Sequence, residues 1–339
     1  MNILYHLTIP PPRMPGTDAV VKEIEALRAR FGGRLVYLNP NRRCVYVPRI
    51  AFGFHQLLRL HAWERDVDLH HVFNPDPYPF PVLRTLRRPI VYSLTGGVSN
   101  VRPNVALFST FAAVTVSDER SLERLRSWGL DNALLVRPGT DTSPFTHAPL
   151  PLRSQVRLLV GSAPWNRAQF RQKGIDALLA AARRAPDLAL VFLWRGVLAD
   201  EMERRVRRLG LQGQVEVLNR KVDVNRVLAG VHAAVSLATD PAVIRPYPHS
   251  LIESLAAGKP VIVSRCIPMA DDVERMGCGL VVDSADTADI LSAVESLVRG
   301  YEALQTQARR AGQSEYTLQA MIASVGRVYE RVRAQTDRG

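Results

Sequence analysis

Short apolar, β-branched runs alternate with amphipathic stretches along all 339 residues, the pattern of α/β units built on parallel sheets. In the first half, strands are predicted at Ile3–Thr8, Leu35–Leu38, Leu69–Phe73, Ile90–Leu94, Ala113–Val116 and Leu134–Arg137. Val20, Val21, Ile24 and Leu27 recur at helical spacing and predict a helix over Thr17–Phe31. The second half restarts the alternation, with strands predicted at Val156–Val160, Leu188–Leu193, Val215–Leu218, Ala233–Leu237, Val261–Ser264 and Leu280–Asp283. Two sheets are therefore expected rather than one. Between them, Pro144, Pro149 and Pro151 mark a stretch from Ser143 to Leu152 that can neither continue a helix nor pair as an inner strand, as a linker would. A last amphipathic pattern, with Leu318, Met321, Ile322, Val325 and Val328 as its apolar positions, predicts a closing helix over Ser314–Arg333.

Composition narrows the class without naming a chemistry. With 47% hydrophobic and 22% charged residues and a mean hydropathy of -0.04, the chain is neither disordered, collagenous nor a disulfide-stapled miniprotein. Cys44, Cys266 and Cys278 lack zinc or redox spacing and read as packing residues in a reducing compartment, the cytoplasm. No apolar run approaches the roughly 20 residues of a membrane span, and Met1–Thr8 has no charged leader before Pro10. The formal charge of +12 would suit nucleic acid, anionic lipid or an anionic substrate. Only Lys22, Lys173, Lys221 and Lys259 are lysines among 44 basic residues, a bias that a GC-rich genome imposes by itself. No basic-aromatic motif accompanies the charge, so no nucleic-acid partner is expected. Where arginine has replaced lysine so widely, the remaining lysines mark places suited to a compact ammonium. Lys173 and Lys259 fall in the segments that carry the candidate chemistry.

The first of these runs from Arg245 to Ser264. Ser250 and Glu253 have the Ser-x-x-Glu spacing of a capping box, which predicts a helix starting at Ser250 and ended by Gly258 and Pro260. A helix N-terminus at the carboxyl edge of a parallel sheet offers unpaired amides and a positive dipole end, for which phosphate is the natural guest. Glu253 reads equally as a cap or as a ligand contact. Upstream, Val156–Val160 ends at Gly161, and the loop Ser162–Gln172 carries Arg167 and Arg171 before Lys173 and Gly174 at a helix start. A basic loop at that edge lies where open α/β sheets bind ligands, although each arginine alone also reads as surface charge. Asp66 and Asp68 precede a strand and read as strand-end charges rather than as a metal site. The stretch Ile50–Trp63 predicts an aromatic-rich helix flanked by Arg49 and Arg65, with Arg59 within it. It suits either a sheet-covering helix with a buried apolar face or a helix lying on anionic lipid.

The order of these residues resembles the family 4 glycosyltransferases, retaining nucleotide-sugar transferases of GT-B fold, along nearly the whole chain. Pro15-Gly16-Thr-Asp-Ala-Val20 is similar to their glycine loop, Asp68-Leu-His-His-Val-Phe-Asn-Pro75 to their Asp-x-x-His strand, and Val116-Ser117 to the strand opening the next helix. Arg137-Pro-Gly-Thr-Asp141 followed by Phe145 resembles their turn into the linker. In the second half, Val160-Gly161 with Lys173-Gly174 resembles their Gly-Arg…Lys-Gly element, and Leu251–Ile262 their donor-binding helix and following strand. The resemblance implies two Rossmann-like domains facing a cleft. An acceptor domain would span 1–145 and a donor domain 153–312, with a tail helix over 313–339 crossing back to the first.

It also implies roles. Lys173, with Arg167 or Arg171, would neutralise the donor diphosphate, and Glu253 would hold the ribose beside Gly161, His249, Ser250 and Leu251. Gly16, Thr17 and Gly96 would lie on the acceptor side, and Arg245, Thr95 and Lys173 near the reacting sugar. No cofactor or metal is implied beyond a UDP-, GDP- or ADP-sugar substrate. A glycan or lipid-linked acceptor, work on cell-envelope polysaccharide or glycolipid, and peripheral contact with an anionic membrane complete the implied picture. Three positions depart from the family pattern. Counting back eight from Glu253 gives Arg245 where the family has a second acid, Ser162 replaces the arginine after the glycine, and Thr95 replaces a histidine. Arg245 is read in two ways: as a fork for an anionic donor such as a uronic acid or for an acceptor phosphate, or as the mark of a protein that binds nucleotide sugar or glycan without turnover. Asp240 would be the alternative source of the missing acid, from a loop a few residues longer than the family's.

Overall fold

The computed structural model describes residues 1–11, 18–41, 46–153, 155–194 and 197–336. Contacts divide the chain into two compact units, one of residues 1–139 with 318–339 and the other of residues 140–317. Gly16, Thr17 and Cys44 lie outside the described residues.

Unit 1 contains β1 (Ile3–Leu7), α1 (Ala19–Phe31), β2 (Arg34–Tyr37), α2 (Leu57–Glu64), β3 (Leu69–Asn74), β4 (Ile90–Leu94), α3 (Val105–Phe108), β5 (Ala113–Val116), α4 (Glu119–Ser127) and β6 (Ala133–Leu135). Its sheet runs β2-β1-β3-β4-β5-β6, every pair parallel, so the order reverses between β1 and β3. Asp18 caps α1 and Asp118 caps α4, each accepting the amide three residues on.

Unit 2 contains β7 (Val156–Val160), α5 (Ala168–Gln172), α6 (Ile175–Arg184), β8 (Leu188–Leu193), α7 (Ala199–Arg208), β9 (Val215–Leu218), α8 (Val224–Ala229), β10 (Ala233–Ser236), α9 (His249–Ala256), β11 (Val261–Ser264), α10 (Met269–Met276), β12 (Gly279–Val282) and α11 (Thr287–Ser314). Its parallel sheet runs β12-β11-β10-β7-β8-β9, the order of a Rossmann domain, with the reversal between β7 and β10. The two sheets of six strands, each layered with helices, are two Rossmann-like domains.

The last helix, α12 (Leu318–Thr336), belongs to unit 1. Its apolar face packs with α1 and β1, and Tyr329 stacks edge-on against Phe31 with centroids 5.1 Å apart. The sequence pattern ran this helix from Ser314, but Ser314 ends α11. The break falls at Tyr316, whose carbonyl accepts the Thr140 amide at 2.8 Å.

Ile50–Trp63 is not one helix. Gly53 is left-handed at φ 87°, its N–H is held by Leu38 O, and a Cβ there would meet Val82 at 2.8 Å. The chain therefore divides into two short 3₁₀ turns, Arg49–Ala51 and Phe54–Gln56, before α2. Phe52 and Leu60 are buried, whereas Ile50, Phe54 and Leu58 are exposed. Among the described residues no helix is long and apolar enough to cross a membrane.

Candidate functional site

The reversal between β7 and β10 places one group of the sequence-selected residues together. Gly161 leaves β7 and passes so close to α9 that a Cβ on it would lie 2.4 Å from Ser250 Cβ. The next loop is tied to Lys173, whose Nζ donates to Ser162 Oγ at 3.0 Å and to Ala163 O at 3.1 Å. Lys173 is only 6% exposed, and burial lowers its pKa from the ordinary lysine value. Gly174, left-handed at φ 63°, seats against Leu237 after β10, and the Thr239 amide donates to Gln172 O at 2.8 Å. Gly161, Ser162, Lys173 and Ser250 thus form one constellation at the carboxyl edge of the sheet, although up to 89 positions separate them.

The start of α9 corrects the capping reading. The N-cap is Pro248, the helix begins at His249, and no side chain caps it. Proline holds the extended conformation that an N-cap needs, so the chain turns helical two residues earlier than Ser-x-x-Glu predicts. Glu253 is therefore a full turn inside α9 and lies 3.6 Å from His249 Nε2, both side chains largely buried. Leu251 has its side chain in the core, and its amide donates to Pro248 O at 2.9 Å.

The arginines are placed less tightly. The predicted loop Ser162–Gln172 contains the short helix α5, with Arg167 just before it and Arg171 within it, both exposed. Arg245 is also exposed, following a 3₁₀ turn over Pro241–Val243. Asp240 caps that turn by accepting the Ala242 amide at 2.8 Å, which fixes its carboxylate locally. Lys259 is fully buried and instead anchors the segment after Thr140, donating to Ala148 O at 2.6 Å, with burial taking its pKa to about 8.

In unit 1, the loop after β4 rests on the loop after β3. The Thr95 amide donates to Asn74 O at 2.8 Å and the Gly96 amide to Pro75 O at 2.9 Å. A Cβ on Gly96 would meet that oxygen at 2.6 Å. Next to these, at the reversal between β1 and β3, a cavity of about 340 Å³ is lined by Thr8, Asn39, Asn41, Asn74, Asp76 and Arg49, among others. Arg49 grips Asp76 through two bonds of 2.6 and 2.8 Å and lies 4.2 Å over the Tyr78 ring. Burial would raise the Asp76 pKa, but the Arg49 guanidinium more than offsets this and holds it below the ordinary carboxylate value. Sequence reasoning missed this pocket. Its signal was that Thr8 follows β1 and Asn74 ends β3, and the two share a short hydrogen bond.

Gly161→Ala is expected to cost about 1–3 kcal/mol, since the loop or α9 must move to admit the methyl group. Urea denaturation checks this, and adding Ser250→Gly should restore most of the loss. A Gly161→Ala protein as stable as the parent would remove the contact from the account.

Residues 167–315 match the family model described as Glycosyl transferases group 1. A lipopolysaccharide core biosynthesis glycosyltransferase, LpsE of Rhizobium meliloti (strain 1021), is 27% identical over 163 residues, 45% of this chain and 47% of the relative. The matched segment thus spans about half the length of that curated relative. Across the whole chain, HepE of Anabaena, solved with UDP, superposes with a TM-score of 0.71 at 13% identity, covering 97% of this chain and 100% of HepE. Sucrose-phosphate synthase from Thermosynechococcus elongatus gives 0.72 at 17% identity, covering 99% and 100%. These likenesses show the GT-B fold.

Proposed function

We propose that the chain is a glycosyltransferase of the family 4 type that moves a sugar from a nucleoside diphosphate sugar to a glycan or lipid-linked acceptor with retention of configuration. The observation that carries the reading is the constellation of Gly161, Ser162, Lys173 and Ser250 at the β7/β10 reversal, most of it beside or inside the matched segment. A buried ammonium next to a helix N-terminus is a fixed positive field for a departing diphosphate, and it supplies that stabilisation without a metal. Glu253, one turn into α9, is placed to accept the ribose hydroxyls. HepE was solved with UDP, which supports a nucleotide as a ligand.

The acceptor belongs to the polar cavity of unit 1, whose amides and the Arg49–Asp76 pair suit a polyol. Exposed Ile50, Phe54 and Leu58 beside Arg59 and Arg65 support peripheral contact with an anionic membrane. Exposed Arg245 favours an acidic donor sugar over a neutral one.

Isothermal titration with UDP, GDP and ADP, then with neutral and uronic-acid forms of the nucleotide that binds, tests the reading. One diphosphate binding in the micromolar range, with the acidic sugar preferred, is the expected result. Binding of none of the three would overturn it.

A further inference from the structure

Trp165 is the bulkiest exposed apolar side chain in unit 2, 74% accessible on the loop that joins Gly161 to α5. The loop around it is fastened on both sides. On one side Lys173 holds Ser162 and Ala163, and Pro164 is buried. On the other, Trp165 donates its own amide to Gln169 Oε1 at 2.8 Å, and the Gln169 amide donates to Asn166 Oδ1 at 3.1 Å. A loop fixed in this way holds its indole in water by construction, because the backbone that could fold the ring inward is already bonded.

An indole presents a large apolar face, and burying it against a matching face is favourable. Nothing within the described residues covers it: the aromatic pairs of unit 2 involve Phe170, Phe192, Trp194, His232, Tyr247, Tyr301 and Tyr316. The ring stands three positions from Ser162 and two from Ala163, the two groups that Lys173 binds.

We propose that Trp165 is the stacking platform for the carbohydrate ring of the substrate. The inference rests on the functional reading above. With the diphosphate at Lys173 and the nucleoside directed to Glu253 on α9, the remaining substituent of the diphosphate is the sugar, and the loop that bears Trp165 is the one on which Lys173 closes. The C–H face of a pyranose is apolar and matches an indole, while exposed Arg167 and Arg171 on the same segment suit polar or acidic substituents at the ring edge.

The test uses the full chain and its Trp165→Ala and Trp165→Phe variants. Calorimetry is run with UDP, GDP and ADP and with UDP-glucose, UDP-glucuronic acid, GDP-mannose and ADP-glucose, and tryptophan emission is followed with iodide as quencher. Expected is a sugar nucleotide that shields Trp165 from iodide while its bare diphosphate does not. Trp165→Ala should bind that sugar nucleotide about five- to tenfold more weakly and the bare diphosphate unchanged, with Trp165→Phe recovering most of the loss. Equal affinities of Trp165→Ala and the parent for the sugar nucleotide would overturn the platform. Shielding by the bare diphosphate would overturn its assignment to the sugar. A parent protein that binds no diphosphate overturns the functional reading itself, and is distinguished because the parent calorimetry is then blank.

Discussion

Lys173→Ala is expected to weaken nucleoside diphosphates about a hundredfold while changing a bare nucleoside by less than twofold. The expectation follows from how the ammonium is held. Of its three N–H donors, one goes to Ser162 Oγ and one to Ala163 O, which leaves the third without a protein acceptor among its contacts. Both partners are neutral, so the charge is buried without a counter-charge, and burial accordingly lowers its pKa. On the proposed function, a phosphate oxygen would be that anion. Its arrival would supply the third acceptor and raise the lysine pKa, a charge-assisted bond of about 1.5–3 kcal/mol. Because the leaving group gains charge as the glycosidic bond breaks, kcat/KM should fall further than affinity, by about 10²–10³. The same variant separates this role from a structural one. Removing an uncompensated buried charge relieves desolvation as it deletes two hydrogen bonds, so the melting temperature should move by only a few degrees. Equal weakening of nucleoside and diphosphate, or a large drop in melting temperature, would sink the phosphate role.

The parallel framework was legible because strands buried on both faces read as continuous Val, Ile and Leu runs. The twelve predicted strands are the twelve found, with ends displaced by two residues at most. What failed was local backbone chemistry. Gly53 in a left-handed conformation divides Ile50–Trp63, and no apolar periodicity can register that, because the hydrophobic pattern on either side of the glycine is unbroken. Pro248 overrides the Ser250–Glu253 spacing because a fixed φ decides where the helix starts before any side chain can cap it. The site shows a different limit. Lys173 and Gly161 were found by motif, but the contacts that join Gly161 to Ser250, and Arg49 to Asp76, are made between loops that only the sheet order brings together. His71 was read only as part of the Asp-x-x-His resemblance, and nothing local shows that His6, His70 and His71 are all buried.

Those histidines predict that unit 1 loses stability as pH falls below about 6.5, and does so before unit 2. His6, His70 and His71 are each 0–1% exposed. His6 Nε2 lies 2.9 Å from His70 Nδ1, and His70 Nε2 lies 3.1 Å from Glu64 Oε1. His71 is held between Tyr329 Oη at 2.6 Å and Ser93 Oγ at 2.7 Å. Burial depresses all three below the ordinary 6.5: His6 well below it, His71 to about 3, and His70 despite the opposing pull of Glu64. The sign follows directly. A group whose folded pKa is depressed takes up its proton more readily in the unfolded chain, so its stabilisation is present above pH 6.5 and is lost as pH falls below it. Each histidine removes up to about 1.4 kcal/mol per pH unit, over the interval between its folded pKa and the unfolded value, against a total stability of roughly 5–15 kcal/mol. Glu64 acts later. Burial raises its pKa, but the Arg88 amide, His70, the Arg87 amide and His61 together bring it down to about 2, so its contribution fades only below the ordinary carboxylate range. In unit 2, burial likewise lowers the His232 pKa. Hydrogen exchange read by mass spectrometry at pH 7.5, 6 and 5 should therefore show β1 and β3 losing protection before β7 and β8. At pH 5, His6→Gln should lower the proton uptake on unfolding by about one, because it removes the titrating ring while its amide can still reach His70 Nδ1 in place of His6 Nε2. Simultaneous loss in both units, or an unchanged proton uptake in His6→Gln, would show that these rings do not control acid stability.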